Sequence, residues 1–298
     1  MCGFLAFRSQ DITEAEQESF KKISYRGPDQ SRTLKLEKDV ILAFHRLSIM
    51  DLSHDGMQPF VNTQNDALVC NGEIYNYKQI QDTLLQSIKL KSKSDCEVIL
   101  PLFKKFGLKK LCKNLDGEFA FVIWDSSKKT FLAARDQFGI RPLFYGLKKD
   151  DSSMAFASEV KALLDFCDDI RPFPPGHYFD GEDFIEFDSV STTEVTADLT
   201  KEEALHGIKQ LLEQAVVKRM HSDAKIGYLL SGGLDSSLVC AIAARESSEK
   251  IKTFAVGINE DPIDAKYAKV VADHIGSDHT EYLFSKSDLL ETLDDLIY

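Results

Sequence analysis

The stretches EFAFVIWD (118–125), TFLAARD (130–136), PLFYG (142–146) and MAFAS (154–158) follow one another with turn residues between them. Short apolar runs at this spacing predict antiparallel sheet. Working outward, CGFLAF (2–7), VILAFHRLSIMD (40–51) and ALVCNGEIYN (67–76) are further strand candidates. Helices interrupt them. Residues 13–23 and 76–86 have helical spacing, and 95–106 opens with Ser94-Asp95-Cys96-Glu97, a capping-box pattern. Strands on two sheets with helices outside predict a four-layer α+β domain over residues 1–187.

The character changes at DSVSTTEVTADLT (188–200), where six of thirteen residues are Ser or Thr, which predicts a linker. Thr200-Lys201-Glu202-Glu203 then caps a long helix, 201–220. Strands and helices alternate after it: IGYLL (226–230), helix 234–247, TFAVG (253–257), helix 264–275, TEYLF (280–284) and helix 287–297. Such alternation is the signature of a parallel α/β sheet. Open parallel sheets usually have five or six strands and about three are legible here, so residues 201–298 read as an incomplete domain. The spaced Leu289, Leu290, Leu293, Leu296 and Ile297 are expected to pack.

The chain has 298 residues, 43% hydrophobic and 28% charged, with a net charge of −12. That is ordinary for a globular protein and argues against nucleic-acid binding and against docking on anionic membranes. Its six cysteines include no C-x-x-C pair, as expected of reduced intracellular thiols. Neither a secretory signal nor a membrane span is read, so a cytoplasmic location is expected. The seven histidines form no ligand set, and His45 and His54 are expected to have a structural or surface role.

Cys2 becomes the first residue once Met1 is removed. A thiol with a pKa of roughly 8.5 needs a base, and an N-terminal residue carries its own in the α-amine. A second-position cysteine can also be accidental, so its neighbours decide. Glutamine is a zwitterion with a side-chain amide; its pocket needs a cation, an acid and oxyanion donors. Arg46 offers a bidentate guanidinium, Glu73 and Asp95 offer carboxylates, and Asn71-Gly72 offers an amide and an accessible backbone N–H. The plain alternatives are a surface ion pair for Arg46, a helix-start charge for Asp95 and a hairpin turn for Asn71-Gly72.

MCGFLAF (1–7), YRGPD (25–29), HRLSIMD (45–51), NGEIYN (71–76), SDCEVI (94–99), LDGEFAFVIWD (115–125) and RDQFGIRPLFY (135–145) occur in the order seen in glutamine-dependent asparagine synthetases. The resemblance covers essentially the whole chain. It implies an N-terminal-nucleophile (Ntn) hydrolase fold, an αββα sandwich, with Cys2 as nucleophile and Asn71 and Gly72 holding the oxyanion. It also implies that Arg46, with the backbone of Leu47, Ser48, Ile49 and Met50, meets glutamine's carboxylate, and that Glu73 and Asp95 meet its ammonium. Arg26 is expected to structure the pocket.

SGGLDSS (231–237) follows an apolar strand and precedes a helix. Gly232 and Gly233 let backbone N–H groups approach an anion at a helix N-terminus, Ser231, Ser236 and Ser237 add hydroxyls, and Asp235 can hold Mg²⁺. No Walker sequence is present, and a Gly-Ser turn can be only a turn. The motif resembles the pyrophosphate loop of ATP pyrophosphatases, which adenylate a carboxylate. That resemblance adds Leu234 within the loop and makes Leu230 and Val256 adenosine contacts. In asparagine synthetases the adenylated group is the aspartate side chain, and ammonia displaces AMP. The resemblance therefore implies ATP and Mg²⁺ as cofactors and glutamine, aspartate and ATP as substrates, with a homodimer among the expected assemblies. The family's second Ser-Gly-Glu-Gly-Ser-Asp-Glu segment is not found before Tyr298, so this chain is expected to hydrolyse glutamine rather than to make asparagine. Two other readings stand beside this one: an amidotransferase acting on another carboxylate, or a non-catalytic binding or regulatory relative.

Overall fold

The computed structural model describes residues 1–190, 198–259 and 263–298. The chain divides into two compact units, Met1–Val195 and Thr196–Tyr298. Most of the expected linker, 191–197, lies outside the described residues.

The first unit contains strands β1 (Gly3–Arg8), β2 (Gln30–Leu36), β3 (Val40–Arg46), β4 (Phe60–Val61), β5 (Ala67–Ile74), β6 (Gly117–Asp125), β7 (Thr130–Arg135), β8 (Phe144–Lys148), β9 (Met154–Ala157), β10 (Cys167–Pro172), β11 (His177–Phe179) and β12 (Phe184–Glu186). Its helices are α1 (Glu14–Lys21), α2 (Tyr77–Thr83), α3 (Ile99–Phe106) and α4 (Leu108–Asn114). One sheet runs β10-β8-β9-β1-β3-β2 and the other β12-β11-β7-β6-β5-β4. The pairings within both sheets are antiparallel, as the sequence predicted.

Side-chain alternation explains the layering, because successive strand residues face opposite sides. Phe4, Phe44, Val69, Val122, Trp124 and Phe156 form a core between the two sheets. Leu68, Cys70, Phe119 and Phe121 point the other way, onto Ile80, Leu102 and Leu111 of α2–α4. Leu5, Phe7 and Ala43 face outward from the first sheet, onto Ile23, with Phe20 of α1 packed alongside. The order is therefore helix, sheet, sheet, helix. Burying each large apolar side chain contributes roughly 1.5–3 kcal/mol, so the core between the sheets and the helix-side core both stabilise the unit.

Two local expectations are corrected. Ser94 makes no side-chain cap, and residues 95–98 form a 3-10 turn ahead of α3. The Glu97 carboxylate instead accepts the backbone N–H groups of Lys91 and Ser92 at 2.9 and 2.7 Å, so it cannot close a capping box. Asn71-Gly72 is no hairpin turn; both residues lie inside β5, paired with Ala120 and Phe119.

The second unit contains α5 (Lys201–Arg219), β13 (Gly227–Leu229), α6 (Leu234–Glu246), β14 (Lys252–Ile258), α7 (Ile263–Ile275), β15 (Asp278–Phe284), α8 (Lys286–Glu291) and α9 (Leu293–Ile297). Its three strands are parallel, in the order β13-β14-β15. The expected capping box forms: Glu203 N–H donates to the Thr200 hydroxyl at 3.3 Å, and Thr200 N–H to the Glu203 carboxylate at 2.9 Å. The expected helix 287–297 breaks at Thr292, whose hydroxyl donates back to the Asp288 and Leu289 carbonyls at 3.0 and 3.2 Å. Such back-bonding competes with the helical ladder. No residue of α8 or α9 is buried, so the packing expected of Leu289, Leu290, Leu293, Leu296 and Ile297 is absent among the described residues.

Candidate active site

Cys2 sits just before β1, half-buried and packed against the core between the sheets. Its thiol meets the Leu47 backbone: Leu47 N–H donates to Sγ at 3.4 Å, and Sγ lies 3.5 Å from the Leu47 carbonyl oxygen. Burial pushes the thiol pKa up to about 11, against the smaller opposing effects of the Leu47 N–H and the N-terminal amine. Such a thiol is protonated at neutral pH, and to act as a nucleophile it would need a base. Burial also lowers the pKa of the Met1 amine. A desolvated amine is more largely in its neutral, proton-accepting form near neutrality.

Arg26 is a positioning group whose partner the sequence did not reveal. Its Nε donates to the Cys2 carbonyl at 2.9 Å, and Nη1 pairs with Glu159 at 2.7 Å, where Tyr25 also donates its hydroxyl. This buried ion pair anchors the backbone next to the thiol. Glu159 carries no local sequence signal, because it comes from the turn after β9.

Alternation along β5 decides which groups face Cys2. Val69 points into the core between the sheets, so Asn71 and Glu73 share its face while Cys70 and Gly72 lie on the helix side. Asn71 is 1% exposed and its Nδ2 has no hydrogen-bond partner in the structure. A buried donor without a partner costs about 1–3 kcal/mol, so an acceptor brought to it is bound with corresponding advantage. Gly72 has no room for a side chain, since a Cβ would lie 2.6 Å from the Glu118 carbonyl oxygen and 2.9 Å from the Phe119 Cα.

Glu73 and Asp95 are brought together. Asp95 is buried, and Ile74 N–H donates to its carboxylate at 2.6 Å. Burial raises the pKa of both carboxyls, and the Asp95 charge raises that of Glu73 further. A raised carboxyl pKa means that ionisation opposes folding at higher pH and costs nothing once the group is protonated in both states. Glu73→Gln is therefore expected to raise Tm by a few degrees at about pH 8, with the gain vanishing below about pH 4. Thermal melts across pH check this; an equal shift at all pH values would contradict the shared-charge picture.

Arg46 behaves differently from the simplest expectation. It is 3% exposed, and its Nη1 donates to the Ser53 carbonyl at 2.6 Å while Nη2 donates to the Asp51 carbonyl. The guanidinium thus folds the 47–53 loop around itself, and a surface ion pair is excluded. Ser48 N–H is held by the Asp29 carboxylate at 2.7 Å, which ties the YRGPD segment to the same loop. Met50 is buried, and Ile49 packs on the helix-side core. His45, buried and stacked on Phe20, bonds Ser31 and the Phe20 carbonyl and is structural. A surface groove of about 870 Å³, lined by residues such as Met57, Pro59, Leu90 and Pro101, contains none of these site residues.

In the second unit, residues 231–237 span the end of the turn from β13 and the first turn of α6. Gly232 has φ +78°, and a Cβ there would lie 2.5 Å from the Tyr267 and Ala268 backbone, so only glycine fits. Ser231 and Ser236 bond each other through their hydroxyls at 3.0 Å, and Ser237 Oγ is buried with no partner. Gly233 is the N-cap of α6 with no side-chain cap, so the helix's first N–H groups keep their capacity for an anion. Leu234 and Asp235 are exposed in the first turn of α6. Val256 is 53% exposed. Leu230 is 1% exposed within the core of this unit, which leaves its backbone as the part able to meet a ligand. An orphaned hydroxyl and uncapped N–H groups around a glycine-only turn fit a phosphate chain. Among the described residues, no three His, Cys, Asp or Glu side chains are grouped to hold a metal. Likewise, no described helix is long and apolar enough to cross a membrane.

Comparison with known proteins gives two family matches. The glutamine amidotransferase domain matches residues 1–179, and asparagine synthase matches residues 207–298. A probable glutamine-hydrolysing asparagine synthetase of Dictyostelium discoideum is 38% identical over 327 aligned positions, covering 100% of this chain and 57% of that protein. Glutamine-hydrolysing asparagine synthetase 3 of Arabidopsis thaliana is also 38% identical, over 100% of this chain and 53% of that one. The chain thus spans about half the length of the curated relatives it matches. Among solved structures, glutamine phosphoribosylpyrophosphate amidotransferase from B. subtilis, complexed with ADP and GMP, is 18% identical with a TM-score of 0.49, covering 94% of this chain and 65% of that one.

Proposed function

Because this chain belongs to the glutamine amidotransferase family, we propose that residues 1–187 form an Ntn-type glutaminase domain supplying ammonia for asparagine synthesis, and that 188–200 is the linker to a partial ATP-pyrophosphatase domain, 201–298. Once Met1 is removed, the α-amine of Cys2 accepts the thiol proton as Sγ attacks the glutamine amide carbon. Asn71 Nδ2 and Gly72 N–H stabilise the oxyanion. Collapse of the tetrahedral adduct expels ammonia, with the α-ammonium returning the proton to the leaving nitrogen. Water then cleaves the thioester to glutamate. Glu73 and Asp95 bind the substrate's ammonium, while Arg46 holds in place the Leu47–Met50 backbone that meets its carboxylate.

The partnerless, buried Nδ2 of Asn71, on the strand face turned toward the Cys2 sheet, carries this reading. Nothing in the packing of β5 requires an amide there, and an oxyanion supplies the acceptor it lacks.

The 231–237 loop would hold ATP phosphates through the Gly232, Gly233, Leu234, Asp235, Ser236 and Ser237 segment with Ser231, and Asp235 would meet Mg²⁺. Leu230 and Val256 would flank adenosine. The aspartate carboxylate would attack the α-phosphate of ATP with release of pyrophosphate, and ammonia would then attack the acyl carbon of the adenylate and displace AMP. The whole reaction belongs to this reading because the relatives matched along the full chain are named for it. The test is release of glutamate from glutamine by the chain with Met1 removed. Turnover is expected, and its absence in a folded, processed chain would overturn the reading.

A further inference from the structure

The RDQFGIRPLFY stretch contributes no group to the chemistry above, yet its first half is tied down on both sides. Asp136, 1% exposed, accepts N–H groups from Phe138, Ile140 and Arg141 at 3.1, 2.9 and 3.0 Å, and from Phe119 of β6 at 3.3 Å. Arg135 donates to the carbonyls of Gly139, Arg141 and Phe173 at 2.7, 2.8 and 2.8 Å. The peptide groups on both sides of Arg141 are thereby fixed. Its side chain, 13% exposed, is delivered to Glu118, with Nη2 3.5 Å from Oε2. Its Nε is buried with no partner.

Glu118 lies directly opposite Glu73 in the β5–β6 register. Directly opposed like charges on neighbouring strands destabilise each other. The charged and titratable groups around Glu73 are Asp95 from the 3-10 turn, Glu118 from β6, Arg141 from the 136–141 loop and the N-terminal amine; the Cys2 and Cys96 thiols feel its charge in turn. The Arg141 guanidinium acts on Glu73, and its charge opposes the rise in the Glu73 pKa.

We propose that Arg141 is a positioning residue for glutamine recognition: by neutralising Glu118 across the strand from Glu73, it reserves Glu73 and Asp95 for the substrate's α-ammonium. This rests on the glutamine reading of the site. Without the guanidinium, the three carboxyls make up the missing positive charge by holding a proton. Burial and Asp95 already raise the Glu73 pKa with Arg141 in place; without Arg141 the proton that the incoming ammonium must displace is held more tightly, so the coupling of binding to pH strengthens.

The experiment is steady-state glutamine hydrolysis by the Met1-free chain from about pH 6.5 to 9. Arg141→Met is expected to raise KM about tenfold near pH 7, one pK unit's worth of competition, and to converge on the wild type toward pH 9. Its kcat at saturating glutamine should hold. Arg141→Lys should keep the wild-type profile, and adding Glu118→Gln to Arg141→Met should restore it. An unmoved KM profile, a pH-independent rise, or no rescue by Glu118→Gln would overturn the proposal, since a merely structural tie would not be relieved by removing a second charge. Should Arg141→Met fail to fold, Glu118→Gln alone decides: the acid limb of the KM profile should move to lower pH, and an unmoved limb overturns the role. Wild-type turnover with unchanged variant profiles defeats only the Arg141 role. Absence of wild-type turnover defeats the glutamine reading and the Arg141 role together.

Discussion

Cys2→Ala is expected to reduce glutamine hydrolysis to background, a loss on the order of 10⁵–10⁶ in kcat, the scale seen when an enzyme loses its nucleophile. The fold should survive. Cys2 is half-buried at the edge of the core, and its Sγ meets only the Leu47 backbone through hydrogen bonds. Far-UV circular dichroism and Tm should therefore stay close to wild type. A chain carrying extra residues before Cys2 separates thiol from amine. It keeps Sγ but moves the free amine off the nucleophilic residue, while burial raises the thiol pKa to about 11. Its kcat is expected to fall almost as far. A Cys2→Ala chain that still turns over glutamine would remove Cys2 from the chemistry.

Asn71→Ala is the second large effect. Losing one oxyanion donor costs about 10²–10³ in kcat, and KM should change little because the ground-state amide makes less use of that donor than the tetrahedral adduct does. Stability supplies the second signature. Nδ2 has no partner in the structure, so its removal should leave Tm unchanged or slightly raised, whereas truncating an ordinary hydrogen-bonded core amide costs about 1 kcal/mol or more. Kinetics and melts on one preparation check both halves. Loss of stability with retained kcat would make Asn71 a structural residue.

Much of this site was legible because it is carried by contiguous motifs. HRLSIMD, NGEIYN and SDCEVI each contribute a segment, and the strand periods of β5 and β6 survive in the apolar alternation around Cys70 and Phe121. What could not be read depends on register. Glu118 faces Glu73 only because Gly72 pairs with Phe119, and no local signal sets that pairing. Arg26 finds Glu159 across 133 residues of sequence. Arg46 looked free to reach a ligand, but the loop it precedes curls back and takes its donors. The Ser94–Glu97 capping box failed where Thr200–Glu203 succeeded because Glu97 has the Lys91 and Ser92 amides within reach. Missed strands such as Cys167–Pro172, sequence CDDIRP, have almost no apolar alternation, with Cys167 and Ile170 their contribution to the core.

The most direct test of the central claim is covalent trapping. Incubate the Met1-free chain with a diazoketone analogue of glutamine, whose reactive carbon captures an attacking thiolate with loss of dinitrogen, and map the adduct by peptide mass spectrometry. A single adduct on Cys2, blocked by excess glutamine and lost in Cys2→Ala, is the expected result. An adduct on Cys70, Cys96 or another residue, or none at all in a folded and processed chain, would contradict it.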